Sequence, residues 1–208
     1  MLMQVPHDDH SYPLNKGKLV GQKAPLKPRE VWPIRVRLQL ADRKRDLALF
    51  NLALDSTLRG CDLVNLRVSD VRTGDEIKNR ATISQMKTGN PLQFEIMDQS
   101  REAIRDWCDM KSLAQYDWLF PSRKNPRRHL TTRQYARIVN HWVTSIGLQK
   151  SAWGTHSMRR TKATLIYRKT GNLRAVQLLL GHTKLDSTAR YLGVEVEDAL
   201  ALSESIEL

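Results

Sequence analysis

A histidine and an arginine three residues apart open a basic segment, "GTHSMRRTKATLIYRKTG", at residues 154–171. The pattern predicts a helix that starts near Thr155 and stops at Gly171. On such a helix His156 and Arg159 project from one face, and the positive end of the helix adds to the charge of Arg159. A phosphate could bind there. By itself, H-x-x-R is also typical of a surface histidine beside an arginine that contacts a DNA backbone.

A tyrosine follows a histidine by nine residues in "LLLGHTKLDSTARYLGV", residues 178–194. Tyr191 is predicted near the end of a short helix that begins near Asp186, as either a packing residue or a nucleophile. His182 either caps the preceding helix or contacts a phosphate. Three other tyrosines are candidates for the nucleophile. Tyr135 is predicted on an apolar helix face, Tyr167 inside a helix, and Tyr116 outside any motif.

The distribution of charge favours a polyanionic partner. The 208 residues carry 34 Lys and Arg against 22 Asp and Glu, which gives a net charge of +12. Between Asp117 and Asp186 there are 14 Lys or Arg and no acid. A solvated surface usually mixes both signs, so this half of the chain is predicted to face nucleic acid. An anionic membrane surface is the second candidate from charge alone.

Composition argues against several other classes of protein. No window approaches the roughly 18 apolar residues of a membrane span, and the N-terminus lacks a signal-peptide pattern. A cytoplasmic protein that binds no membrane is therefore expected. Cys61 and Cys108 show neither CxxC spacing nor a second pair, which predicts reduced, structural side chains rather than a metal site or disulfides.

Hydrophobic patterning predicts a mixed α/β fold that is mostly helical. The segment "RDLALFNLALDSTL", residues 45–58, is apolar on nearly every side and therefore belongs to a buried helix. Thr131 and Asn172 are predicted helix caps. Between the helices, Lys87 lies at the tip of the second hairpin of a small three-stranded antiparallel sheet. The predicted strands are Leu66–Val71, Ala81–Met86 and Leu92–Met97.

These motifs together resemble the catalytic domain of the tyrosine recombinases, the phage integrase family. The family pattern is H-x-L-R, then L-G-H about two dozen residues on, then a tyrosine nine residues later, and all three occur here in order. Upstream, "STLRGCDLVNLRVSDV" resembles the family segment that holds its first catalytic arginine, with Arg59 at that position. "ISQMKTGNPLQFEI" resembles the family's β-hairpin, with Lys87 at the catalytic lysine. The resemblance covers residues 27–208.

The resemblance implies strand cleavage by a tyrosine. Tyr191 attacks a DNA phosphodiester, forms a 3′-phosphotyrosine link and releases a 5′-hydroxyl, and the hydroxyl of a second strand reverses the step. A phenol has a pKa of about 10, so Tyr191 needs nearby positive charge or a base to become a good nucleophile. The resemblance implies His156 as that base, and as the acid on reversal, and Lys87 as the proton donor to the departing oxygen.

The resemblance also implies how the phosphate is held. Arg59 and Arg159 each direct two donors at the non-bridging oxygens, and His182 forms a hydrogen bond with the phosphate. The arginines then carry the positive charge that Mg²⁺ supplies in other phosphoryl transfers, so no metal is expected. Energy is retained in the phosphotyrosine bond, and no nucleotide cofactor is expected either.

Some positions depart from the family pattern. Asp62 stands where glutamate is usual, and Met158 replaces the leucine between His156 and Arg159. Exchange of leucine for methionine nearly conserves volume. Asp62, although one methylene shorter than glutamate, can still orient Arg59. These departures concern fine positioning rather than the class of reaction.

Three segments are predicted. Residues 1–28 form a basic, flexible arm, residues 29–193 form the catalytic domain, and residues 194–208 form a helical tail. The tail holds five acids, no Lys or Arg and an apolar stripe, which is typical of docking on a neighbouring subunit. The arm is too short for the N-terminal core-binding domain of most relatives, so a stand-alone form is expected, similar in size to the small fimbrial inversion recombinases.

The sequence therefore predicts a site-specific DNA recombinase. Its expected partners are double-stranded DNA with specific recombination sites, further copies of the chain in a tetramer, and accessory DNA-bending proteins. Two alternatives remain open. One is a non-enzymatic DNA-binding remnant that modulates a full-length recombinase, and the other is DNA relaxation of the type IB topoisomerase kind, which uses the same tyrosine chemistry.

Overall fold

The fold was analysed in a computed structural model that describes residues 23–193 and Glu204. The described helices are α1 (Pro28–Leu40), α2 (Lys44–Ser56), α3 (Gly60–Val64), α4 (Val68–Val71), α5 (Asp98–Lys111), α6 (Thr132–Ser145), α7 (Thr155–Thr170), α8 (Leu173–Leu180) and α9 (Leu185–Leu192). The described strands are β1 (Arg72–Thr73), β2 (Glu76–Ile77), β3 (Arg80–Ser84) and β4 (Pro91–Glu95). The fold is mostly helical, as predicted.

The main core surrounds α2. Leu49, Phe50 and Leu52 on this helix are fully buried, because α1, α5 and α7 cover its sides. Phe50 meets Trp142 of α6 edge to face, with ring centroids 5.2 Å apart. Burial of these large side chains is the main source of stability in such a domain. The predicted burial of the segment 45–58 is confirmed.

The β region differs from the prediction of one three-stranded sheet. Two separate two-stranded antiparallel sheets are present among the described residues, β1 with β2 and β3 with β4. The predicted strand Leu66–Val71 is wrong, because Val68–Val71 forms one turn of helix, α4. Asp70 accepts a hydrogen bond from the backbone N–H of Arg67 at 2.7 Å and so caps that turn. The capping contact outweighs the β propensity of the valines.

Two helix starts lie where the sequence places them. Thr131 accepts a hydrogen bond from the backbone N–H of Gln134, whose side chain accepts one from Thr131 N, so the predicted capping box precedes α6. The Asn172 side chain accepts a hydrogen bond from Ala175 N at 2.8 Å and caps α8. Both contacts satisfy N–H groups that have no partner inside the helix.

A smaller apolar cluster joins α7, α8 and α9. Ala163, Val176 and Leu180 are fully buried in it, and Tyr191 and Leu192 of α9 pack against them. Left-handed glycines end α7 and α8, at φ 65° for Gly171 and 61° for Gly181. The chain can therefore reverse twice within a short distance and return α9 to the side of α7.

The N-terminal segment begins to pack before the predicted boundary at residue 29. Leu26 is buried, and its backbone N–H donates to Thr161 Oγ1 of α7 at 2.9 Å. Ala24 N donates to Ala152 O. Residues 23–28 therefore belong to the helical body, and residues 1–22 of the predicted arm lie outside the described residues. The predicted tail, 194–208, also lies outside them apart from Glu204.

Candidate active site

Arg159 lies at the centre of the site. It projects from the first turns of α7 and is only 3% exposed. Its Nη2 donates to Leu180 O at 2.6 Å and lies 3.4 Å from His182 Nε2. Its Nη1 is buried and has no hydrogen-bond partner. One nitrogen of the guanidinium is thus held by the end of α8, and the other is left for a ligand.

Arg59 provides a second guanidinium. It is the N-cap residue of α3, and its Nη1 lies 3.9 Å from Asp62 Oδ2, one turn further along. That distance is an ion pair without a hydrogen bond, and Arg59 Nη1 is also buried without a hydrogen-bond partner. Asp62 itself is 2% exposed, and its Oδ1 accepts a hydrogen bond from Met86 N at 2.8 Å.

The two arginines form one electrostatic unit. Burial lowers the pKa of Arg159, Arg59 lowers it further by charge repulsion, and Tyr191 and Asp62 act in the opposite direction. Guanidinium groups nevertheless stay charged in proteins. Two buried N–H donors without partners, on two like-charged groups, are costly to maintain unless an anion binds between them. The geometry is that of an anion site.

His182 lies against Arg159. Its Nδ1 is 3.1 Å from Thr188 Oγ1, and its pKa falls to about 4 because of burial first and then the charges of Arg159 and Arg59. The ring is therefore neutral at pH 7. Arginine only donates, so Nε2 accepts from Arg159, and Nδ1 carries the proton and donates to Thr188.

Tyr191 lies over the same cleft. Its Oη donates to the backbone oxygen of His156 at 3.4 Å, and its ring meets the His182 ring edge to face at 5.4 Å. The Cζ atoms of Arg160 and Arg159 lie 5.1 and 5.9 Å from its ring centroid. Burial raises the pKa of Tyr191, while the charges of Arg159, Arg160 and Arg59 and a side-chain interaction of the phenol with Arg159 lower it. The phenol is protonated at neutral pH and needs a base.

His156 lies in the first turn of α7 and is exposed. Its pKa is lowered by burial of the ring surface and by the charges of Arg159 and Arg160, which favours the neutral form. A neutral imidazole can accept a proton. The contact with Tyr191 runs through the backbone oxygen of His156, so the structure brings the two residues together without a bond between phenol and imidazole.

Comparison with known proteins identifies the family of the chain. A model of the phage integrase family matches residues 35–197, most of the chain. The chain belongs to the phage integrase family. The family resemblance predicted from the sequence motifs is therefore confirmed.

Individual relatives of this integrase-family chain are tyrosine recombinases. It is 27% identical over 162 residues to "Probable integrase/recombinase YoeC" of Bacillus subtilis, which covers 78% of this chain and 84% of the relative. It is 28% identical over 158 residues to "Tyrosine recombinase XerC" of Erythrobacter litoralis, covering 76% of this chain. The match spans only 49% of that XerC, about half of its length.

Solved structures share the integrase-family fold. The XerA recombinase superposes with a TM-score of 0.71 at 21% identity, over 88% of this chain and 64% of that one. The XerH site-specific recombinase bound to difH substrate gives a TM-score of 0.68 at 21% identity, over 89% of this chain and 55% of that one. The α-helical body with small antiparallel sheets is thus the fold of that family.

Among residues 23–193, Lys87 forms no hydrogen bond or ion pair with the other members of the predicted integrase set. It occupies the turn between β3 and β4 and is exposed, whereas Arg59, Arg159, His182 and Tyr191 share one cleft. Within residues 23–193, no hydrogen bond or ion pair fixes its ammonium group. The structure therefore places Lys87 on the hairpin that Asp62 holds through Met86 N, with its side chain directed by the turn alone.

Three further residues of the site escape the sequence analysis. Thr188 orients the His182 ring, Arg160 lies over Tyr191, and Gln85 is buried beneath the Lys87 turn. Thr188 could have been found, because it precedes Tyr191 by three residues and shares its face of α9. Arg160 could have been found next to Arg159. Gln85 has no sequence signal, since its partner Gly181 is distant in the chain.

The side chains and helices of residues 23–193 also bear on metal binding, membrane spanning and cysteine pairing. Among residues 23–193 no group of three His, Cys, Asp or Glu side chains is placed to hold a metal ion. In the same range, no helix is long and apolar enough to cross a membrane. Cys61 and Cys108 are free cysteines, and Cys108 is buried.

Proposed function

We propose that the chain is a site-specific DNA recombinase that cleaves and rejoins strands through Tyr191. The Tyr191 oxygen forms a bond to phosphorus, and the bond from phosphorus to the 5′ oxygen breaks. The products are a 3′-phosphotyrosine and a free 5′-hydroxyl. Attack by the 5′-hydroxyl of a second strand reverses the step and releases Tyr191, so neither hydrolysis nor a nucleotide is needed.

One observation carries this proposal: two guanidinium nitrogens, Arg59 Nη1 and Arg159 Nη1, are buried without partners beside the tyrosine. Donors held in place before the reaction stabilise the charge that develops on the non-bridging oxygens, and each is typically worth about 10²–10³ in rate. Their positions fit a phosphodiester bound over Arg159. His182 donates a hydrogen bond to the same group once the phosphate replaces Arg159 beside Nε2, provided that the ring proton then lies on Nε2 and Thr188 donates to Nδ1.

The reaction needs two proton transfers, one from the attacking Tyr191 oxygen and one to the departing 5′ oxygen. Tyr191 is protonated in the free protein and must lose its proton as it attacks. His156 is neutral and lies next to it in space, so we assign it the role of base in cleavage and of acid on rejoining. Lys87 is assigned delivery of a proton to the departing 5′ oxygen. All six predicted catalytic residues keep their roles in this proposal.

The partners are proposed on the basis of charge and of the relatives. XerH is bound to its difH substrate in a solved structure, and a lambda integrase dimer is bound to a core site in another. For this chain, the acid-free half between Asp117 and Asp186 fits double-stranded DNA with a specific site. We further propose a tetramer that pairs two sites, with accessory DNA-bending proteins, and an acidic tail that docks on a neighbouring copy.

The covalent intermediate provides the test. A pool of duplexes with randomised sequence is first enriched for those that bind the protein. A nick is then placed near the cleaved bond of the enriched DNA, so that the short fragment with the 5′-hydroxyl diffuses away and the covalent intermediate is trapped. Wild-type protein is expected to form a protein–DNA adduct that survives detergent, and Tyr191→Phe none. Tyr116→Phe is the matched control, since Tyr116 is 81% exposed and lies in no motif.

The same experiment separates the alternatives. A DNA-binding remnant shifts the enriched duplex in a gel but forms no adduct with wild-type protein. A relaxing enzyme of the type IB kind forms the adduct and removes supercoils, yet joins no strand to a second duplex that carries the same site. Recombinant products that require two sites identify a recombinase. An adduct that persists in Tyr191→Phe shows that another residue is the nucleophile.

A further inference from the structure

Gln85 is a buried amide at the base of an exposed hairpin. It is 1% exposed, although Lys87, two residues later, lies in solvent. Its Oε1 accepts a hydrogen bond from Thr88 Oγ1 at 2.7 Å, and its backbone oxygen accepts one from Gly89 N at 2.8 Å. The turn that carries Lys87 is therefore stabilised by hydrogen bonds from Thr88 and Gly89 to Gln85.

The other side of the Gln85 amide lies against the turn between α8 and α9. A β-carbon at Gly181 would lie 2.5 Å from Gln85 Nε2 and 3.2 Å from Oε1, so a side chain at this position would displace the buried amide. On either side of this glycine are Leu180, whose oxygen holds Arg159, and His182. The hairpin and the phosphate-facing turn thus meet at Gln85.

The next residue ties the hairpin to the first arginine. Met86 N donates to Asp62 Oδ1 at 2.8 Å, and Asp62 lies 3.9 Å from Arg59 Nη1. The base of the Lys87 turn is therefore linked to both arginines of the anion site. Gln85 provides the link towards Arg159, and Met86 provides the link towards Arg59. Nothing comparable holds the Lys87 side chain among residues 23–193, so its direction depends on these two links.

We infer that Gln85 is a positioning residue for Lys87, which it holds in register with Arg159 and His182 through its contact with Gly181. The inference rests on the proposed function, in which Lys87 protonates the departing 5′ oxygen. Gln85 touches neither the DNA nor the reacting atoms in this account. Its loss should therefore impair the step that depends on Lys87 and leave phosphate binding by the arginines intact.

A change of leaving atom separates this role from a general loss of structure. In the normal reaction an alkoxide leaves and needs a proton, which Lys87 supplies. When sulfur replaces the bridging 5′ oxygen, a thiolate leaves, and because a thiol has a pKa of about 8.5 it departs without a proton donor. Defects that act through Lys87 are relieved by sulfur, whereas defects in phosphate binding or in Tyr191 are not.

The experiment compares single-turnover adduct formation on nicked duplexes with 5′ oxygen or 5′ sulfur at the cleaved bond. Gln85→Ala and Gln85→Met are the test variants, and the second keeps most of the side-chain volume. Each is expected to slow cleavage of the oxygen substrate by at least about 10-fold, as expected for misplacement of a general acid. Each is expected to cleave the sulfur substrate within about twofold of wild type, the same profile as Lys87→Ala.

A control variant on the same hairpin separates the role of Gln85 from a general effect on the hairpin. Gln93→Ala removes an exposed glutamine from β4 of the same hairpin and should cleave both substrates as wild type does. Equal slowing of Gln85→Met on both substrates, or no slowing on either, overturns the inference, and so does failure of sulfur to relieve Lys87→Ala. Failure of the proposed function is distinct, because wild-type protein would then form no adduct on either substrate.

Discussion

Arg159 uses one terminal nitrogen for the fold and leaves the other for a ligand. Nη2 is held by Leu180 O at the end of α8, while Nη1 is buried with no partner. A lysine at this position has a single ammonium group and cannot fill both places. In the function that we propose, the two terminal nitrogens of Arg159 therefore have separate tasks, one in the fold and one at the phosphate.

Arg159→Lys is expected to reduce the rate of adduct formation by about 10²–10³, because one preorganised donor is lost. Affinity for the enriched duplex should change little, since most of the binding comes from other phosphate contacts. The measurement is single-turnover cleavage beside a gel-shift titration. Arg168→Lys, exposed on the same helix, is the control and should cleave normally. Cleavage by Arg159→Lys at the wild-type rate would rule out the anion site.

The protonation of His182 gives a second prediction at this scale. Its pKa is about 4 in the folded protein, compared with about 6.5 in an unfolded chain. Between these values the unfolded chain binds more protons, so the free energy of unfolding falls as pH drops from 6.5 towards 4. Nuclear magnetic resonance of labelled histidine in the DNA-free protein should show one ring that titrates near 4. Arg159→Met should raise this pKa only in part, because burial is the largest cause of the shift and Arg59 remains. A His182 ring that titrates near 6.5 contradicts the geometry of the site.

At the scale of elements, the site depends on how α8 ends. Gly181 stands at φ 61°, with Gln85 filling the space where a β-carbon would lie. Gly171, which ends α7 at φ 65°, has nothing within 4 Å of that position. The two glycines thus share a backbone conformation and differ only in their surroundings.

Gly181→Ala should therefore destabilise the protein more than Gly171→Ala. Both substitutions place a β-carbon in the left-handed region, at a cost of about 1–2 kcal/mol, and only the first adds a clash worth a further 1–3 kcal/mol, roughly. Denaturant unfolding measures both. Gly181→Ala should also lose cleavage activity, since Leu180 and His182 are displaced with it. Equal stabilities of the two variants would show that the Gln85 contact is loose.

Elements differ in how far the sequence predicts them. The caps at Thr131 and Asn172 were predictable, because a side chain three residues or fewer from its partner N–H decides them. The contact from Asp70 to Arg67 N that makes Val68–Val71 a helix is equally local, but the β propensity of the two valines predicts a strand there. The motifs predicted Arg59, Arg159, His182 and Tyr191 as one set, and these side chains do lie together in the fold. The contact of Gln85 with Gly181 joins residues nearly a hundred positions apart and could not be predicted without the fold.

For the whole molecule, the segregation of charge along the chain supports the DNA partner that we propose. The 14 Lys and Arg between Asp117 and Asp186 have no acid among them, and most of α6, α7 and α8 lies in this segment. Arg133 and Arg137 are exposed one turn apart on α6. A polyanion that lies on this face releases the counterions bound to its phosphates when it binds.

Replacement of Arg133 and Arg137 by glutamine should reduce the salt dependence of DNA binding. Each lost phosphate contact lowers the slope of log affinity against log salt by about 0.9 for duplex DNA, or roughly 1.8 for the pair. Fluorescence anisotropy over a range of salt concentrations gives the slope. Arg105→Gln on α5 is the control, since that helix also carries acids and lies outside the acid-free segment. A slope unchanged in the double variant would place the DNA on another face.

The chemistry of the covalent link tests the central claim most directly. After residue 190 the sequence has no Lys or Arg, so trypsin releases a C-terminal peptide that contains Tyr191 and begins after Lys184 or Arg190. Adduct from wild-type protein, digested with nuclease and trypsin, is analysed by tandem mass spectrometry. We expect a nucleotide joined through its 3′-phosphate to Tyr191. A nucleotide joined through a 5′-phosphate, or attached to any other residue, contradicts it.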